Sequence, residues 1–347
     1  MSAFLTSLAF VASTAAVAFA QEAEKKQPLE VSADNVMVRP FELRDFQMEL
    51  VMAFAFVGYF LMWYRGKSAN LNKAKQWLNG QIDYLESQFA LVGDKKSTEK
   101  AVLMKDGPAD YLLYTSGRRN VQFGHWWLKL KPRNDILSLF TTNLLSLTGY
   151  TKPASDRVEL TLQLSSSLPE KFVFAVIKKD LASELAKNRF DLRRTCKIAS
   201  SDIIPASLTI YSETQKLSDL ILTKIGRVLR DNADKLEHLI ISSLPAEEPE
   251  KYEQDKHMTL SFSFLMHDQE SLQPFVQLAC EIPDILSDMR FSNDVKSKIS
   301  KNREELAKEH AKRIAADRAE ELYQKKMEAK RAEEERIKKL SPAEQRK

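Results

Sequence analysis

The 347-residue sequence is poor in the residue patterns on which catalytic and metal sites are built. Two cysteines, Cys196 and Cys280, are too few for a disulfide framework, and we expect both to be free thiols in a reducing compartment. None of the five histidines stands in an H-E-x-x-H motif, and the nine glycines form no G-x-G-x-x-G motif. The G-K-S that begins at Gly66 lacks the first glycine of a phosphate-binding loop. These absences argue against a nucleotide-binding or metal-dependent enzyme, and we expect neither catalytic residues nor a cofactor.

The sequence also lacks an excess of one charge over most of its length. The formal net charge is +4, and residues 293–347 hold 17 Lys and Arg against 12 Asp and Glu. The rest of the chain is therefore close to neutral. A hydrophobic content of 44% is enough to build a real core in a chain of this length. We expect a globular domain followed by a basic tail.

Long apolar runs are few, and the first covers residues 1–20. It is rich in small residues and ends in Ala18-Phe19-Ala20, an A-x-A cleavage pattern, before a polar stretch. This pattern predicts a secretory signal peptide, so that residues 21–45 become a short lumenal segment. No Lys or Arg precedes the run, which leaves an uncleaved N-terminal anchor as the alternative.

The second apolar run, residues 46–64, predicts a transmembrane helix. Nineteen helical residues are about 28 Å long, close to the ~30 Å thickness of the hydrocarbon core. Trp63 and Tyr64 end the run as an aromatic belt. The cations that follow favour a cytosolic C-terminal side and a type I topology: Arg65, Lys67, Lys73 and Lys75. A helix buried in a soluble core is the alternative.

Residues 65–290 predict a cytosolic α+β domain. Helical periodicity covers residues 70–92, with Gly93 as a stop, and recurs at 179–188, 214–231 and 269–288. The strand-like runs are DYLLYTS, VQFGHWWLKL, RVELTLQLS, KFVFAVIK, SLTIYS, LEHLIISSL and HMTLSFSFL. Because some strands follow one another directly and others alternate with helices, we expect a mixed sheet.

The segment at residues 132–153 predicts a helix that is apolar almost all round. It carries no charge after Asp135, and only Ser, Thr and Asn relieve its Leu, Ile and Phe residues. One interpretation is a core helix packed on the sheet. The other is a helix at the cytosolic membrane interface, whose predicted contact residues are Leu137, Leu139, Phe140, Leu144 and Leu145.

Residues 291–347 predict a long basic helix. The stretch 300–340 has no Pro or Gly and carries favourable i,i+4 pairs such as Glu304 with Lys308 and Glu309 with Arg313. Its large apolar residues keep no heptad, which argues against a stable homodimeric coiled coil. The basic residues that could contact a partner are Lys312, Arg313, Lys325, Lys326, Lys330, Arg331, Lys338 and Lys339. A solvated charged helix without a partner is the alternative.

Several short stretches, taken in order, make the chain resemble the coiled-coil-domain-containing protein 47 (calumin) family. They are SGRRN at 116, FVFAV at 172, DLRRTC at 191, ADKLEHLIIS at 233, TLSFSF at 259 and SKNREE at 300. The resemblance covers the predicted span, the cytosolic domain and the basic tail.

This resemblance implies a single-span protein of the endoplasmic reticulum membrane. Its partner in the PAT complex would be a small membrane protein like Asterix. The complex serves as an intramembrane chaperone for nascent multi-pass clients. It works at the ribosome-bound Sec61 translocon with other multi-pass translocon subunits, beside membrane lipid. The basic tail would then contact ribosomal RNA phosphates.

The resemblance has one departure, because family members typically have a long acidic lumenal region linked to calcium. Here only residues 21–45 lie between the predicted cleavage site and the span, so calcium binding is not expected. The leading hypothesis is a non-enzymatic scaffold and chaperone subunit. The alternative is a single-span tether of the endoplasmic reticulum that binds another protein through its C-terminal helix, without ribosome contact.

Overall fold

The structure is a computed structural model and describes residues 46–93, 103–149, 151–249, 258–266 and 269–338. The chain divides into two compact units, Met1–Val57 and Gly58–Lys347. The predicted signal peptide and lumenal segment, residues 1–45, lie outside the described residues. In the first unit, the described residues 47–57 are helical.

The predicted span is the beginning of helix α1 (Gln47–Gln88), which is 42 residues long. It is the one helix among the described residues that is long and apolar enough to cross a membrane. Its apolar side chains are exposed, as shown by Phe54 and Phe56, each 74% exposed. From Gly66 onward one face of the helix is buried, through Gly66, Asn70, Ala74, Trp77, Leu78, Gln81 and Leu85. The i, i+4, i+7 spacing of these residues puts them on one side of the helix.

The predicted second helix at residues 70–92 is therefore a continuation of α1, and its predicted end is wrong. The helix ends at Gln88, and Leu91 and Val92 form strand β1 instead. These two residues pair with Ser116 and Thr115. Gly93, with a φ of 73°, donates its N–H to the carbonyl of Tyr114 at 2.7 Å. A ladder partner distant in sequence thus overrides the local helical pattern.

Within the described residues, ten strands form one sheet. They are β1 (Leu91–Val92), β2 (Met104–Lys105), β3 (Asp110–Ser116), β4 (Val121–Lys129), β5 (Arg157–Leu164), β6 (Val173–Lys178), β7 (Lys197–Ala199), β8 (Leu208–Ser212), β9 (Leu236–Ser242) and β10 (Thr259–Leu265). Their order is β1-β3-β4-β5-β10-β9-β6-β8-β7, and β2 pairs with β3.

Six further helices in the described part of the chain accompany the sheet. They are α2 (Ile136–Leu147), α3 (Lys179–Asn188), α4 (Phe190–Thr195), α5 (Gln215–Asp231), α6 (Gln269–Asp288) and α7 (Asn293–Lys338). The predicted α+β class is confirmed. The bounds predicted for α3 and α6 agree with the structure, and Thr214 caps α5 by accepting the N–H of Leu217.

The sequence predicts a mixed sheet, whereas every described ladder is antiparallel. The reason lies in the strands around α5. Strands β8 and β9 run parallel to each other, as their helical connection suggests, but β6 lies between them and is antiparallel to both. The crossover that the sequence indicates exists, yet it joins two strands that do not touch.

Both faces of the sheet contribute to the core. The larger hydrophobic cluster combines inward residues of the sheet with α1, α5 and α6, and includes Trp77, Trp126 and Phe275. A smaller cluster on the other face joins Val173, Ala175 and Ile177 of β6 to α3, α4 and Leu306 of α7. Because successive strand residues point to opposite faces, β6 is buried on both sides as a central strand.

Candidate functional surfaces

Helix α2 turns its apolar side outward. Asp135 caps the helix by accepting the N–H of Ser138 at 3.0 Å, and none of its twelve residues is buried. Leu137, Phe140 and Leu147 are 68%, 63% and 85% exposed. The interpretation of this segment as a core helix is therefore wrong.

The half-buried side of α2 carries three hydroxyl residues. Ser138, Thr142 and Ser146 are half-buried together with Ile136 and Leu139. The three hydroxyl residues follow an i, i+4, i+8 spacing, which places them on one face of the helix. A helix on the surface of a soluble protein has the opposite arrangement, with its apolar stripe toward the core.

Of the five predicted interface residues, the structure brings four to the exposed side: Leu137, Phe140, Leu144 and Leu145. Leu139 lies on the half-buried side instead. Leu147, the most exposed large apolar residue of the helix, is absent from the prediction. A segment that is apolar all round offers no sequence signal for which side faces outward.

The loop before α2 is held against α1 by close backbone contact. A Cβ built on Gly66 would lie 2.0 Å from the carbonyl oxygen of Arg133 and 2.6 Å from the nitrogen of Asn134. One turn further, the Asn70 amide donates to the carbonyls of Pro108 at 3.2 Å and Lys131 at 3.1 Å. The Arg133 guanidinium in turn donates to the Asn70 side-chain oxygen at 3.0 Å. The start of α2 is therefore fixed to the helix two residues beyond Tyr64.

Asp156 is the centre of this attachment. Its carboxylate accepts two hydrogen bonds from Arg133, at 2.8 and 2.7 Å, and one from Lys73 at 2.5 Å. It also accepts the backbone N–H of Lys131 at 2.8 Å. Its side chain is 5% exposed. Four donors converge on one carboxylate, which ties β5, the loop before α2 and α1 together.

The charge of Asp156 is stabilised by these partners. Burial by itself raises the pKa of the carboxyl, but the hydrogen bonds from Arg133, Lys131 and Lys73 outweigh it. The pKa of Asp156 consequently lies well below its ordinary value of 3.8. The same pairing raises the pKa of the Arg133 guanidinium.

The predicted cations after the span have different environments. Lys73 pairs with Asp156, and the Lys67 ammonium lies 4.8 Å from the centre of the Trp63 ring, a cation–π contact. Arg65 and Lys75 are exposed. Two of the four cations therefore have a partner in the same unit.

Helix α7 begins on the domain. Val295, Ile299 and Leu306 are 2%, 7% and 7% exposed. Arg303 donates to Glu213 at 2.6 Å and to the Ser243 hydroxyl at 3.1 Å. These contacts fix the first part of the long helix to the end of β8 and to the segment after β9.

The Glu213 carboxylate is buried in this joint. It accepts hydrogen bonds from Asn302 at 3.1 Å and from the backbone N–H of Val173 at 2.8 Å, in addition to the one from Arg303. Burial nevertheless raises the pKa of Glu213, although Arg303 and the hydrogen bonds act in the opposite direction. A buried carboxylate with three donors holds α7 in one rotational position.

A second row of contacts follows about two turns later. Glu309 accepts from Arg194 at 2.6 Å, Arg313 pairs with Glu248, and a His310 ring nitrogen lies 3.0 Å from the Pro249 carbonyl oxygen. Of the two predicted i,i+4 pairs named above, Glu304–Lys308 forms, at 4.0 Å, whereas Glu309 and Arg313 turn to the domain instead.

Beyond these contacts α7 extends away from the domain as an exposed arm. Every residue from Ala315 to Ala332 is exposed. Six of the eight predicted basic contact residues are exposed in the described part of the chain: Lys312, Arg313, Lys325, Lys326, Lys330 and Arg331. Arg313 is partly engaged by Glu248, Lys338 ends the described helix, and Lys339 lies outside the described residues.

The described residues contain no cluster of three or more His, Cys, Asp or Glu side chains that could hold a metal ion. Both cysteines are free thiols, and burial raises the pKa of Cys280 to about 12. A cavity of about 420 Å³ on the sheet is lined by Thr161, Gln163, Arg189 and Ser261, among others. None of these side chains is an activated nucleophile or a general base.

The chain is similar to proteins of one known family. Residues 45–347 match the family described as PAT complex subunit CCDC47. The PAT complex subunit CCDC47 of Danio rerio is 30% identical over 301 residues, which cover 80% of this chain and 60% of that protein. The Homo sapiens protein of the same name is 28% identical over 308 residues, covering 82% of this chain and 62% of its own length.

A fungal relative carries a different name. The UPF0674 endoplasmic reticulum membrane protein of Schizosaccharomyces pombe is 27% identical over 222 residues, covering 61% of this chain and 59% of that protein. The chain thus spans about 60% of the length of the curated relatives it matches.

Proposed function

We infer the function of this chain from its family, because it belongs to the family of PAT complex subunit CCDC47. The resemblance noted in the sequence is thereby confirmed. We propose that the chain is a non-enzymatic scaffold and chaperone subunit of the endoplasmic reticulum membrane. In this role it assists the insertion and folding of multi-pass membrane proteins at the ribosome-bound Sec61 translocon.

The proposed partners follow from that role. They are an Asterix-like small membrane protein, Sec61 and other subunits of the multi-pass translocon, the ribosome with its RNA, membrane lipid and nascent multi-pass clients. The relatives are named PAT complex subunits, and one is named an endoplasmic reticulum membrane protein. A scaffold acts through its surfaces and needs no reacting groups, so we propose that the chain acts without a cofactor.

The observation that carries this proposal is the outward apolar face of α2. Helix α1 supplies the proposed span, and the loop before α2 is fixed to α1 at Gly66, two residues beyond Tyr64. In a type I orientation, a helix attached at that level lies at the cytosolic interface of the membrane. Its exposed Leu and Phe side chains are then accommodated by acyl chains or by the apolar surface of a membrane partner.

The helix differs from most interfacial helices because it has no Lys or Arg of its own. Its position is supplied by the attachment to α1 instead of by attraction to lipid headgroups. Arg65, which is exposed on α1 next to Gly66, provides a basic side chain at this level. Within this unit, α2 would offer an apolar surface at the cytosolic boundary of the bilayer.

The proposed role of α7 is contact with the ribosome. The helix leaves the domain as an exposed arm rich in Lys and Arg, whose charges can neutralise RNA phosphates and release counterions. The alternative function is a single-span tether whose α7 binds a protein and makes no ribosome contact. Salt-sensitive co-sedimentation of the detergent-solubilised chain with ribosomes separates the two, because only the first function predicts it.

The membrane position of α2 can be measured directly. We would label Leu144→Cys with an environment-sensitive fluorophore in the full chain, reconstituted into nanodiscs containing nitroxide-bearing lipid. Cys280 is fully buried, and burial raises the pKa of Cys196 far above its ordinary value, so neither competes well for the label. The matched control is Asn79→Cys, on the exposed side of α1 and about 20 Å along the helix from Gly66.

The expected result is blue-shifted emission and quenching by the lipid nitroxide at position 144, with water-like emission and no quenching at position 79. Equal, water-like emission at both positions would contradict the interfacial placement of α2.

A further inference from the structure

From Lys312 to Lys330, helix α7 separates most of its charges onto opposite faces. At about 100° per residue, five of the six cations in this stretch fall within an arc of about 140° of the helix surface. We name this arc the basic face, and it consists of Lys312, Arg318, Lys325, Lys326 and Lys330. All five are exposed.

The acidic residues of the same stretch lie on the other side. Asp317, Glu320, Glu321 and Glu328 fall within an arc of about 100° whose centre is about 160° from that of the basic face. We name this arc the acidic face, and all four residues are exposed. Between Lys312 and Arg331 no Asp or Glu lies on the basic face. Arg313 and Arg331, in contrast, lie on the side of the acidic face.

This arrangement differs from that of an ordinary solvent-exposed helix. In such a helix positive and negative side chains alternate around the surface, so that their electrostatic potentials largely cancel within about 10 Å at physiological salt. Here one side presents five positive charges over about 27 Å of helix, with Leu322 exposed among them. The other side would repel the same polyanion. The arm therefore has a preferred side for a negatively charged partner.

The rotation of that side is fixed by the domain. Arg303 is bound to the buried Glu213, and Arg194 and Glu248 hold Glu309 and Arg313. Since α7 is one continuous helix through residue 338, these contacts fix the direction in which the basic face points. A polyanion that binds α7 therefore contacts a basic face whose orientation relative to the domain is already fixed.

We propose that the basic face binds the phosphate backbone of RNA, and that the acidic face is turned away from it. This inference rests on the ribosome contact of the proposed function and deepens it by naming the side of the helix that makes the contact. It predicts that the eight cations indicated by the sequence are unequal: Lys326 and Lys330 contribute to RNA binding, whereas Arg313 and Arg331 do not.

The test exchanges charges without changing their number. The first variant of the full chain carries Lys326→Glu, Lys330→Glu, Glu321→Lys and Glu328→Lys, which reverses two of the five charges of the basic face and two of the four charges of the acidic face at constant net charge. The matched control carries Glu328→Lys and Arg331→Glu, which exchanges two charges on the side of the acidic face, also at constant net charge. Both are assayed by co-sedimentation with salt-washed large ribosomal subunits over a range of salt, and circular dichroism checks helicity.

We expect the first variant to lose about tenfold or more in affinity, with a shallower dependence of log K on log salt, and the control to stay within about twofold of the wild type. Equal binding by all three proteins would overturn the proposal for the basic face while leaving ribosome contact through another surface intact. Failure of the wild type itself to co-sediment would overturn the proposed ribosome contact and the basic-face proposal with it.

A crosslinking arm identifies the occupant. A photo-crosslinking residue at Ala329, within the basic face, is expected to form adducts with ribosomal RNA, and one at Gln324, on the side of the acidic face, is expected to form none. Adducts from Ala329 to protein alone, or RNA adducts from Gln324, would contradict the assignment. So would adducts from Ala329 to a second copy of the chain, because the two faces would then be pairing with each other.

Discussion

Gly66 of α1 lies directly against the carbonyl group of Arg133, so closely that a Cβ on Gly66 would be 2.0 Å from the Arg133 oxygen. No side chain fits in that space, and the neighbour is backbone, which cannot rotate away. The glycine therefore allows the loop before α2 to touch the helix that supplies the proposed span. This contact sets the level at which the apolar face of α2 begins.

Gly66→Ala is expected to displace this loop and to lower the free energy of unfolding by roughly 1 to 3 kcal/mol, the usual cost of overpacking. Chemical denaturation of the full chain in mild detergent measures the loss. Gly58→Ala is the matched control, because no atom lies within 4 Å of its added Cβ. A helix-favouring alanine at position 58 is expected to be neutral or stabilising. Equal stability of the two variants would mean that the contact is loose.

Asp156→Asn is expected to lower the free energy of unfolding by about 2 to 3 kcal/mol. This is below the usual loss for breaking a buried ion pair, since Lys73 and Arg133 keep 33% and 28% exposure and can be partly solvated. Lys73→Met combined with Arg133→Met is the companion variant, which removes both cations and leaves the Asp156 charge buried. It is expected to cost at least as much.

The same residue predicts a pH dependence. The pKa of Asp156 is lower in the folded chain than its ordinary value of 3.8, so the unfolded chain binds the extra proton. Its contribution to stability is fully present above about pH 5 and is lost progressively as the pH falls through 3.8 toward the pKa of the folded chain. Denaturation at pH 7 and pH 3 should therefore show a smaller difference in the Asp156→Asn variant than in the wild type. An unchanged difference would exclude Asp156 as a source of acid sensitivity.

Phe140→Ser with Leu144→Ser is expected to leave the free energy of unfolding within about 0.5 kcal/mol of the wild type, because both side chains are exposed. It is expected to reduce the recovery of membrane partners from digitonin-solubilised microsomes. The matched comparison is Leu139→Ser, on the half-buried side of the same helix, which should affect stability more than partner recovery. If the double variant unfolds the domain, α2 belongs to the core after all.

Protease added to sealed microsomes is expected to digest α7, because the cations after the apolar run favour a cytosolic C-terminal side. An antibody against residues 315–332, all of them exposed, detects the loss. Detergent-opened microsomes provide the control for protease activity. Full protection of α7 in sealed microsomes would reverse the proposed topology.

Much of the fold could be read from local sequence patterns. The period-two alternation of β3 and β5 and the periodicity of α3 and α6 predict elements that the structure contains with the same or nearly the same bounds. These patterns succeed because side-chain direction within one element depends on that element alone. The absence of Pro and Gly from residue 300 to 340 likewise predicts one long helix, and α7 is continuous there as far as Lys338.

Only the tertiary structure decides which of these elements meet and which side of each faces outward. Asp156 binds Lys73 and Arg133, which lie 83 and 23 residues away in the chain. No sequence pattern predicts these contacts. The sequence likewise does not predict which side of α2 faces outward, because apolar residues surround the whole segment. The structure shows that the face with Ser138, Thr142 and Ser146 is half-buried. Insertion of β6 between β8 and β9 makes the sheet antiparallel although the local pattern indicates a parallel crossover. Local periodicity determines the helices and strands. Strand pairing and packing depend on contacts between residues far apart in the chain, and no periodic sequence pattern predicts such contacts.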